Sequence, residues 1–192
     1  MEKAEFNRLL EEEKILYLGA DAKGQREMKK TRHKRYMIYK CLYYFRYSQY
    51  WREILQNAGN PVRKALANIL LRRYKKLRNL YTEKSGVEIG IDSVVGRNCD
   101  IWHGGVVING TVGDNCVFHG NNIVGNKGLG RATDRPTIGN NVDIGAGAIV
   151  IGSVEIADGC IIGAGAVVTK SFDRPDSVLV GVPAKIAVEI DK

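Results

Sequence analysis

The segments Ile144-Gly145-Ala146-Gly147-Ala148 and Ile162-Gly163-Ala164-Gly165-Ala166 have the same sequence and lie eighteen residues apart. Around them an aliphatic or aromatic residue returns every six positions, at Ile89, Val95, Ile101, Val112, Phe118, Val124, Ile138, Ile144, Val150, Ile156, Ile162 and Val168. A helix repeats at about 3.6 residues and a strand at about 2, so this period fits neither. It indicates a hexapeptide β-helix, in which one side chain per unit points to the axis. If three units form a coil, the two identical segments stack directly.

Two irregularities interrupt the repeat. Val112 lies eleven positions after Ile101, where two regular units would give a spacing of twelve, and a polar loop runs from Gly125 to Thr137. A break in a regular scaffold often marks a functional site. His103 lies inside the first irregularity, so it is the leading candidate for chemistry.

The repeats share two further segments with a known family: Trp102-His103-Gly104-Gly105-Val106-Val107-Ile108-Asn109 and Val180-Gly181-Val182-Pro183-Ala184-Lys185-Ile186. Residues 86–188 resemble the hexapeptide-repeat acetyltransferases. Within them they are similar to the serine acetyltransferase-like branch, which includes O-acetyltransferases of bacterial capsular and surface polysaccharides. The resemblance implies a left-handed parallel β-helix, a homotrimer, and acetyl-coenzyme A as co-substrate. Outward-facing valines, with Val106, Val150 and Val167 as candidates, are consistent with a trimer.

The predicted fold class is mainly β, with an α-helical region in front of the β-helix. We expect a basic helical region at residues 1–85, the β-helix domain at 86–188 and a short tail at 189–192. Helices are predicted from Glu5 to Tyr17, from Arg26 onward after a break at Gly19 to Gly24, and between Asn60 and Gly86, which can cap its two ends. In this last helix Val62, Leu66, Ile69, Leu70 and Leu77 are expected to form the packing face.

The resemblance assigns His103 as the general base, which takes a proton from the acceptor hydroxyl as that hydroxyl attacks the acetyl thioester. An unperturbed imidazole titrates near pH 6.5, so it is suited to accepting and returning a proton at neutral pH. Its orienting partner is unknown, and a backbone carbonyl could serve. His119, in Phe118-His119-Gly120, is expected to support acceptor binding, and Asn109 is placed with the acceptor residues.

Two departures from the serine acetyltransferase pattern affect the acceptor. Trp102 stands where these enzymes carry an aspartate before the histidine, and Arg135 stands before Pro136 where many carry a second histidine. Both departures favour a sugar hydroxyl over free serine. Trp102 could offer a face to a sugar ring, or it could be a packing residue.

Acetyl-coenzyme A is expected along the glycine–alanine segments, where Gly145, Ala146, Gly163 and Ala164 would hydrogen-bond to the pantetheine arm; tight packing of the coil explains the same residues. Lys127, Arg131 and Arg135 in the loop could contact coenzyme A phosphates or an acidic glycan. Lys170 and Lys185 could meet the nucleotide phosphates.

The net charge of +8 is uneven: residues 1–84 hold 21 Lys and Arg against 9 Asp and Glu, and residues 85–192 hold 8 against 12. A basic helical region can contact an anionic glycan or lie at a membrane surface. It can also be a solvated face on helices that pack together and steady the trimer. No nucleic-acid-binding module is recognisable, so nucleic acid is not expected as a partner.

Other site classes are poorly matched. The four cysteines show no C-x-x-C pair, and Cys116 and Cys160 occupy repeat positions suited to buried small residues. A zinc site of three histidines would need more than His103 and His119, so no metal is expected. A nucleophile elbow and a phosphate-binding P-loop are missing from the sequence. With no leader or long apolar run visible, we expect a cytoplasmic protein, or one peripheral at the inner membrane face.

The sequence therefore predicts an acetyl-coenzyme A-dependent O-acetyltransferase that modifies a bacterial surface glycan or its precursor by direct transfer. The first alternative is a serine O-acetyltransferase of cysteine biosynthesis. The second is a non-enzymatic trimeric scaffold.

Overall fold

The computed structural model describes residues 2–128, 130 and 132–189. Arg131 and residues 190–192 of the predicted tail lie outside the described residues. The chain divides into two compact units, residues 1–87 and residues 88–192. The first contains four α-helices, and the second is a parallel β-solenoid of about five coils. The predicted fold class, a left-handed β-helix behind an α-helical region, is confirmed.

The helices are α1 (Lys3–Leu18), α2 (Ala22–Lys30), α3 (Lys34–Asn57) and α4 (Pro61–Ser85). Side chains cap three of the four at their N-termini. Asp21 accepts from the amides of Lys23 and Gly24 at the start of α2, and His33 from Arg35 at the start of α3. Asn60 caps α4, and Gly86 ends it in the left-handed conformation, as predicted.

Two helix predictions were wrong. The break predicted at Gly19 to Gly24 is shorter than expected, because Asp21 caps the start of α2 and Gly24 lies inside that helix. The packing face of α4 was also misassigned: its buried residues are Ala67, Leu71 and Ser85, whereas Val62 is 77% exposed and Ile69 is 65% exposed. Ala67 allows a close approach to α3, and Leu71 lies one turn further along the same face. The larger aliphatic side chains at Val62, Leu66 and Ile69 face solvent.

Aromatic side chains pack between the helices, as one of the two interpretations of the basic region expected. Phe6 of α1 stacks on Tyr50 of α3 with ring centroids 4.4 Å apart, and Tyr47 stacks on Tyr74 of α4 at 4.6 Å. The same core holds a buried ion pair, in which Nη2 of Arg46 lies 2.6 Å from Oε1 of Glu13. Both partners are at least nine-tenths buried. No helix in the described part of the chain is long and apolar enough to cross a membrane.

The second unit consists of very short strands, three to each coil. They are β1 (Val87–Ile89), β2 (Val94–Val95), β3 (Asp100–Ile101), β4 (Val106–Ile108), β5 (Thr111–Val112), β6 (Val117–Phe118), β7 (Ile123–Gly125), β8 (Thr137–Ile138), β9 (Asp143–Ile144), β10 (Ile149–Ile151), β11 (Glu155–Ile156), β12 (Ile161–Ile162), β13 (Val167–Val168), β14 (Ser177–Gly181) and β15 (Ala184–Glu189). Sheet A has the order β1-β4-β7-β10-β13, sheet B β11-β8-β5-β2 and sheet C β15-β14-β12-β9-β6-β3. Every described pairing is parallel except β14 with β15, which is antiparallel and closes the last coil.

All twelve side chains of the predicted repeat are buried. Full burial of an aliphatic side chain of this size stabilises a fold by about 1.5–3 kcal/mol, so the column of inward residues is the main source of stability. Val106 and Val150 are also completely buried, which contradicts their assignment to an outer face. Cys116 and Cys160 are buried, as expected.

The register explains both irregularities. Ile101 pairs with Phe118, 17 residues later, because the coil is one residue short of the regular 18. Ile108, which the period of six had skipped, points inward beneath Val124. The polar loop adds eight residues to the next coil, since Phe118 pairs with Ile144, 26 residues later. Neighbouring coils nevertheless stay in register, so the loop projects without breaking the stack.

An asparagine ladder forms one of the corners. Asn98, Asn115 and Asn141 all have φ near +55°. Asparagine tolerates this left-handed conformation better than most residues. The Nδ2 of Asn115 donates to the Oδ1 of Asn141 at 3.2 Å, and Asn98 bonds to Asn115 in the same way at 3.4 Å. The side chains thus add to the backbone bonds between coils at this corner, where the amides of Asn115 and Asn141 donate to the carbonyls of Arg97 and Asp114.

Candidate active site

The corners that follow the strands of sheet C carry the catalytic candidate. Ile101, Phe118, Ile144, Ile162 and Leu179 are in register. The residues directly after them therefore share one position in successive coils: Trp102, His119, Gly145, Gly163 and Val180. Two rings occupy this position in the first two coils and glycine in the next two. We call residues 102–105, 119–122, 145–147 and 163–165 the His103 corner.

His103 itself is exposed. Gly120 lies directly against it, because a Cβ atom on Gly120 would stand 2.7 Å from the Cβ of His103. Gly120 also has φ +122°, a conformation that side-chain-bearing residues rarely adopt. Among the described residues, none forms a hydrogen bond or ion pair with the His103 ring. The backbone carbonyl expected to orient it is therefore not found.

His119 is held between Trp102 and a carboxylate. Its ring lies 4.3 Å from the Trp102 ring between centroids, at an interplanar angle of 40°. Its Nε2 lies 2.7 Å from Oδ1 of Asp143, although the N–H direction is not aligned for a regular hydrogen bond. On the other side, Nε1 of Trp102 donates to Oδ2 of Asp100 at 3.0 Å. The structure thus brings together two predicted residues, Trp102 and His119, between two aspartates.

A buried asparagine fixes the backbone of this corner. Asn122 is completely buried, and its Oδ1 accepts from the amide of Gly120 at 2.9 Å. Its Nδ2 donates to the carbonyl of Gly145 in the next coil at 2.7 Å. Because Gly120 contacts His103 and Gly145 follows the strand above His119, Asn122 supports both histidine positions.

Other predicted residues lie at a different corner, between sheets A and B. Asn109 follows β4, Lys127 follows β7 and Lys170 follows β13. Lys127 lies over Gly152, with its Cε 2.5 Å from where a Cβ on that glycine would be. Arg135 precedes β8, and its Nη2 lies 4.0 Å from Oδ2 of Asp92. Within one chain, these residues do not meet His103. Lys185 is exposed on β15, at the end of the solenoid.

The glycine–alanine segments contain two kinds of position. Gly145 and Gly163 are required by packing, since a Cβ on Gly145 would lie 2.6 Å from the amide nitrogen of Ala164. Their N–H groups donate to the carbonyls of Ile162 and Leu179, at 2.7 and 2.8 Å, so these groups are not available to a pantetheine arm. Any contact of Gly145 and Gly163 with the pantetheine arm would therefore have to use groups other than their N–H.

Ala146, Ala164 and Gly165 behave differently, and we call them the alanine lane. All three are exposed. The amides of Ala146 and Ala164 have no acceptor within the described part of the chain, and a Cβ on Gly165 would meet nothing within 4 Å. The lane is a narrow, open strip of backbone with unused donors. It suits a long, slender, polar chain such as pantetheine.

Sequence comparison identifies the repeat. Residues 135–170 match the family model described as bacterial transferase hexapeptide (six repeats). The serine acetyltransferase of Synechococcus elongatus is 40% identical over 77 residues, which are 38% of this chain and 32% of that enzyme. The serine acetyltransferase of Helicobacter pylori strain 26695 is also 40% identical over 77 residues, 45% of its length. The chain thus spans less than half the length of these curated relatives.

Solved structures extend the likeness to the helices. Serine acetyltransferase from Brucella abortus strain S19, in complex with coenzyme A, superposes with a TM-score of 0.72 at 22% identity, covering 98% of this chain and 70% of that one. Neisseria gonorrhoeae serine acetyltransferase, in complex with serine, superposes with a TM-score of 0.64 at 27% identity, covering 97% and 70%. The second unit therefore has the hexapeptide β-helix fold, and residues 135–170 within it match the bacterial transferase repeat. The chain's resemblance to serine acetyltransferases is confirmed.

Sequence reasoning missed Asp100, Asp143 and Asn122. Each aspartate stands two residues before a corner position of sheet C, so the period of six could have selected them. Their alignment in one column depends on the offsets of 17 and 26 residues, which the period alone does not give. No metal-binding group of three or more His, Cys, Asp or Glu side chains occurs among the described residues.

Proposed function

We propose that this chain is an acetyl-coenzyme A-dependent O-acetyltransferase that transfers the acetyl group directly to an acceptor hydroxyl. The proposal is carried by one observation: the exposed ring of His103 lies at the same corner as the alanine lane. One corner of the β-helix thereby offers both a base and a strip of backbone amides that a slender thioester could bind. The similarity to serine acetyltransferases supports the same reaction.

In the proposed mechanism His103 is the general base. Acetyl-coenzyme A, when bound, supplies an acyl group activated as a thioester. His103 accepts the proton of the acceptor hydroxyl as its oxygen attacks, and then returns that proton to the departing thiolate. Gly120 leaves room for the ring, and Asn122 holds Gly120 in place. A base in this role must be held within a fraction of an ångström of its productive position.

The binding roles divide between the two corners. We assign the pantetheine arm to the amides of Ala146 and Ala164, with Lys127, Lys170 and Lys185 meeting the phosphates. Trp102, His119, Asn109 and Arg135 are assigned to the acceptor. Since Asn109 and Arg135 lie away from His103 in one chain, the complete site requires a neighbouring copy. This supports the homotrimer that the family resemblance implies, in which one subunit's corner faces the next subunit's His103 corner.

L-Serine is the first candidate acceptor, because the curated relatives are serine acetyltransferases. The glycan favoured by the sequence alone is the second candidate, and a specific observation keeps it. Trp102 is 43% exposed and donates to the carboxylate of Asp100, and the neighbouring His119 ring lies against the carboxylate of Asp143. An exposed ring beside carboxylates that can accept bonds from hydroxyl groups suits a sugar. We propose a cytoplasmic location with either acceptor. Contact of the basic helices with an anionic glycan or with the inner membrane face belongs to the second candidate.

The test is release of free coenzyme A thiol from acetyl-coenzyme A by the purified chain, with L-serine and with a panel of sugars and surface glycans. His103→Ala should abolish release with the true acceptor. His33→Ala, which removes an exposed imidazole from the helical unit, is the matched control and should leave the rate unchanged.

Serine-dependent release that only His103→Ala removes would identify a serine acetyltransferase. Glycan-dependent release with the same behaviour would identify the second candidate. Absence of release with every acceptor, together with no coenzyme A binding, would refute the proposal and favour the scaffold alternative.

A further inference from the structure

A cavity of about 260 Å³ opens between α1, α2 and α3, within the helical unit. Basic and phenolic side chains from all three helices line most of it: Lys14 from α1, Arg26 and Lys29 from α2, and Tyr36, Tyr39 and Lys40 from α3. Leu18, Ala22 and Gln25 complete the wall. Within the described part of the chain, the lining contains no acidic side chain. The proposed acetyl transfer makes no use of this cavity.

The positive charge of the cavity is largely uncompensated. Lys14 is paired with Glu11, whose Oε1 lies 2.9 Å from its Nζ. Among the described residues, no carboxylate lies within 4 Å of the charged groups of Arg26, Lys29 or Lys40. Three cations thus converge on a small concave space without a counter-ion. Such convergence is electrostatically unfavourable unless an anion occupies the space.

Lys40 shows the effect of this environment. Its Nζ lies over the rings of Tyr43 and Tyr44, at 4.2 and 4.5 Å from the centroids. Burial, and then the charge of Lys29, lower the pKa of Lys40 to about 8. The ammonium group has π-face contacts but no anion, so it would gain from a negatively charged ligand.

The two phenols of the lining are suited to donating hydrogen bonds. Burial raises the pKa of Tyr39 well above its ordinary value, with smaller contributions from Tyr43 and Glu11. Burial also raises the pKa of Tyr36. Both groups therefore stay protonated at neutral pH, and each can donate its O–H to an anionic oxygen. The cavity combines cations with neutral donors, which is the chemistry that a phosphate group requires.

We propose that this cavity is a binding site for a phosphate-bearing ligand, held by Arg26, Lys29 and Lys40 with hydrogen bonds from Tyr36 and Tyr39. Three uncompensated cations match a phosphate monoester or a diphosphate better than a single carboxylate. The volume lies at the small end of ligand sites, so the bound part is compact. The ligand would also anchor α2, which has no buried residue of its own. The site is independent of the proposed acetyl transfer.

The test is calorimetric titration of the full chain with inorganic pyrophosphate at fixed ionic strength and pH 7.5. Lys29→Gln and Arg26→Gln should each weaken binding about tenfold, the loss expected from one charge-assisted contact. Lys30→Gln and Lys23→Gln remove the same charge from the same helix but lie outside the cavity lining, so they should leave affinity unchanged. All four positions are on α2, where no side chain is buried, so folding should be preserved.

A second arm distinguishes a free phosphate from a lipid headgroup. Vesicles of phosphatidylcholine alone are compared with vesicles that also contain phosphatidic acid. Retention that needs phosphatidic acid and is lost in Lys29→Gln, but not in Lys30→Gln, assigns the phosphate to a lipid; binding of pyrophosphate alone assigns it to a soluble ligand. Equal weakening by Lys30→Gln and Lys29→Gln would mean diffuse attraction to a basic surface and would overturn the proposal. Absence of binding in both arms would overturn it as well.

A pH series adds a readout that a general charge effect would not give. Sulfate serves as the probe, since its charge is constant over this range. The affinity for sulfate should fall about tenfold between pH 7 and pH 9, because Lys40 of the unliganded protein deprotonates in this range. Lys40→Met should remove this pH dependence. The groups facing Lys40 are Lys14, Arg26, Lys29, Tyr36, Tyr39, Tyr43 and Tyr44. A pH dependence that is unchanged in Lys40→Met would contradict the assignment.

Discussion

Gly120→Ala tests how closely the backbone of the second coil positions His103. The new Cβ would stand 2.7 Å from the Cβ of His103 and 3.3 Å from the carbonyl oxygen of Gly104. Ordinary contact begins at 3.4 Å, so the two Cβ atoms must separate by about 0.7 Å. Alanine is also strained at φ +122°, which costs about 1–3 kcal/mol. Gly120 is buried, and its amide donates a hydrogen bond to Oδ1 of the buried Asn122, so neither chain segment can move freely.

The expected result has two parts. Stability in urea should fall by roughly 2–4 kcal/mol, from the backbone strain together with the collision. A displacement approaching 1 Å can cost about a hundredfold in rate, so kcat/KM for coenzyme A release should fall roughly ten- to a hundredfold in the folded variant. Both quantities are measured on the same preparation, with circular dichroism to confirm that the β-helix is present.

Gly19→Ala is the matched control. Gly19 also has a positive φ, +75°, but a Cβ there would meet nothing within 4 Å. This variant should lose only the stability that the backbone strain costs, about 1–3 kcal/mol, and keep full activity. If folded Gly120→Ala turned over at the wild-type rate, the reasoning that Gly120 positions His103 would be refuted.

Four further outcomes are expected. Glu13→Gln should lower the unfolding free energy by about 3–5 kcal/mol in urea, because the buried Arg46 loses the negative charge of Glu13, whereas Glu11→Gln, in an exposed pair, should change it by less than about 1 kcal/mol. Asn122→Ala should cost about 1–3 kcal/mol by leaving the amide of Gly120 unpaired, and exposed Asn57→Ala should be nearly neutral. Trp102→Ala should raise KM for a glycan about tenfold and leave KM for serine unchanged; the opposite pattern would exclude the sugar-face role. In phosphate-free buffer, the wild type should gain stability relative to Lys40→Met as pH rises from 7 to 9.5. The pKa of Lys40 is lowered to about 8 in the folded state, whereas the unfolded chain has the ordinary, higher lysine pKa. Above about pH 8 the unfolded chain therefore binds more protons than the folded one, and stability rises with pH.

The fold was predictable because a period of six has one structural meaning. Each aliphatic residue of the repeat, such as Ile144 or Ile162, marks one buried position, and many such positions at the same spacing support the same fold. The N-terminal helices were predictable in position, since Asn60 and Gly86 are local signals. Their packing was not: Ala67 rather than Leu66 faces α3, a choice that depends on how closely two helices can approach and not on hydrophobicity alone.

The candidate site was predictable only in part. His103 was marked by the irregular coil around it, and His119 by its spacing of nearly one coil. Asp143 could not be placed beside His119, because the eight added residues of the loop hide their proximity in the sequence. The separation of Arg135 from His103 likewise depends on which sheet each residue follows. The sheet that a residue follows is set by the number of residues in every part of the coil, so it cannot be predicted from the residues next to Arg135 or His103.

The antiparallel strand β15 has a consequence for the size of the molecule. A parallel solenoid has no intrinsic length, because its last coil presents an unpaired backbone edge. A further coil, or another copy of the chain, could pair with that edge. Here β15 folds back on β14 and covers the edge of sheet C with a strand of opposite direction, on which Lys185 is exposed. A further parallel coil would meet the wrong polarity and a charged side chain. The hairpin therefore blocks the addition of a further parallel strand to sheet C.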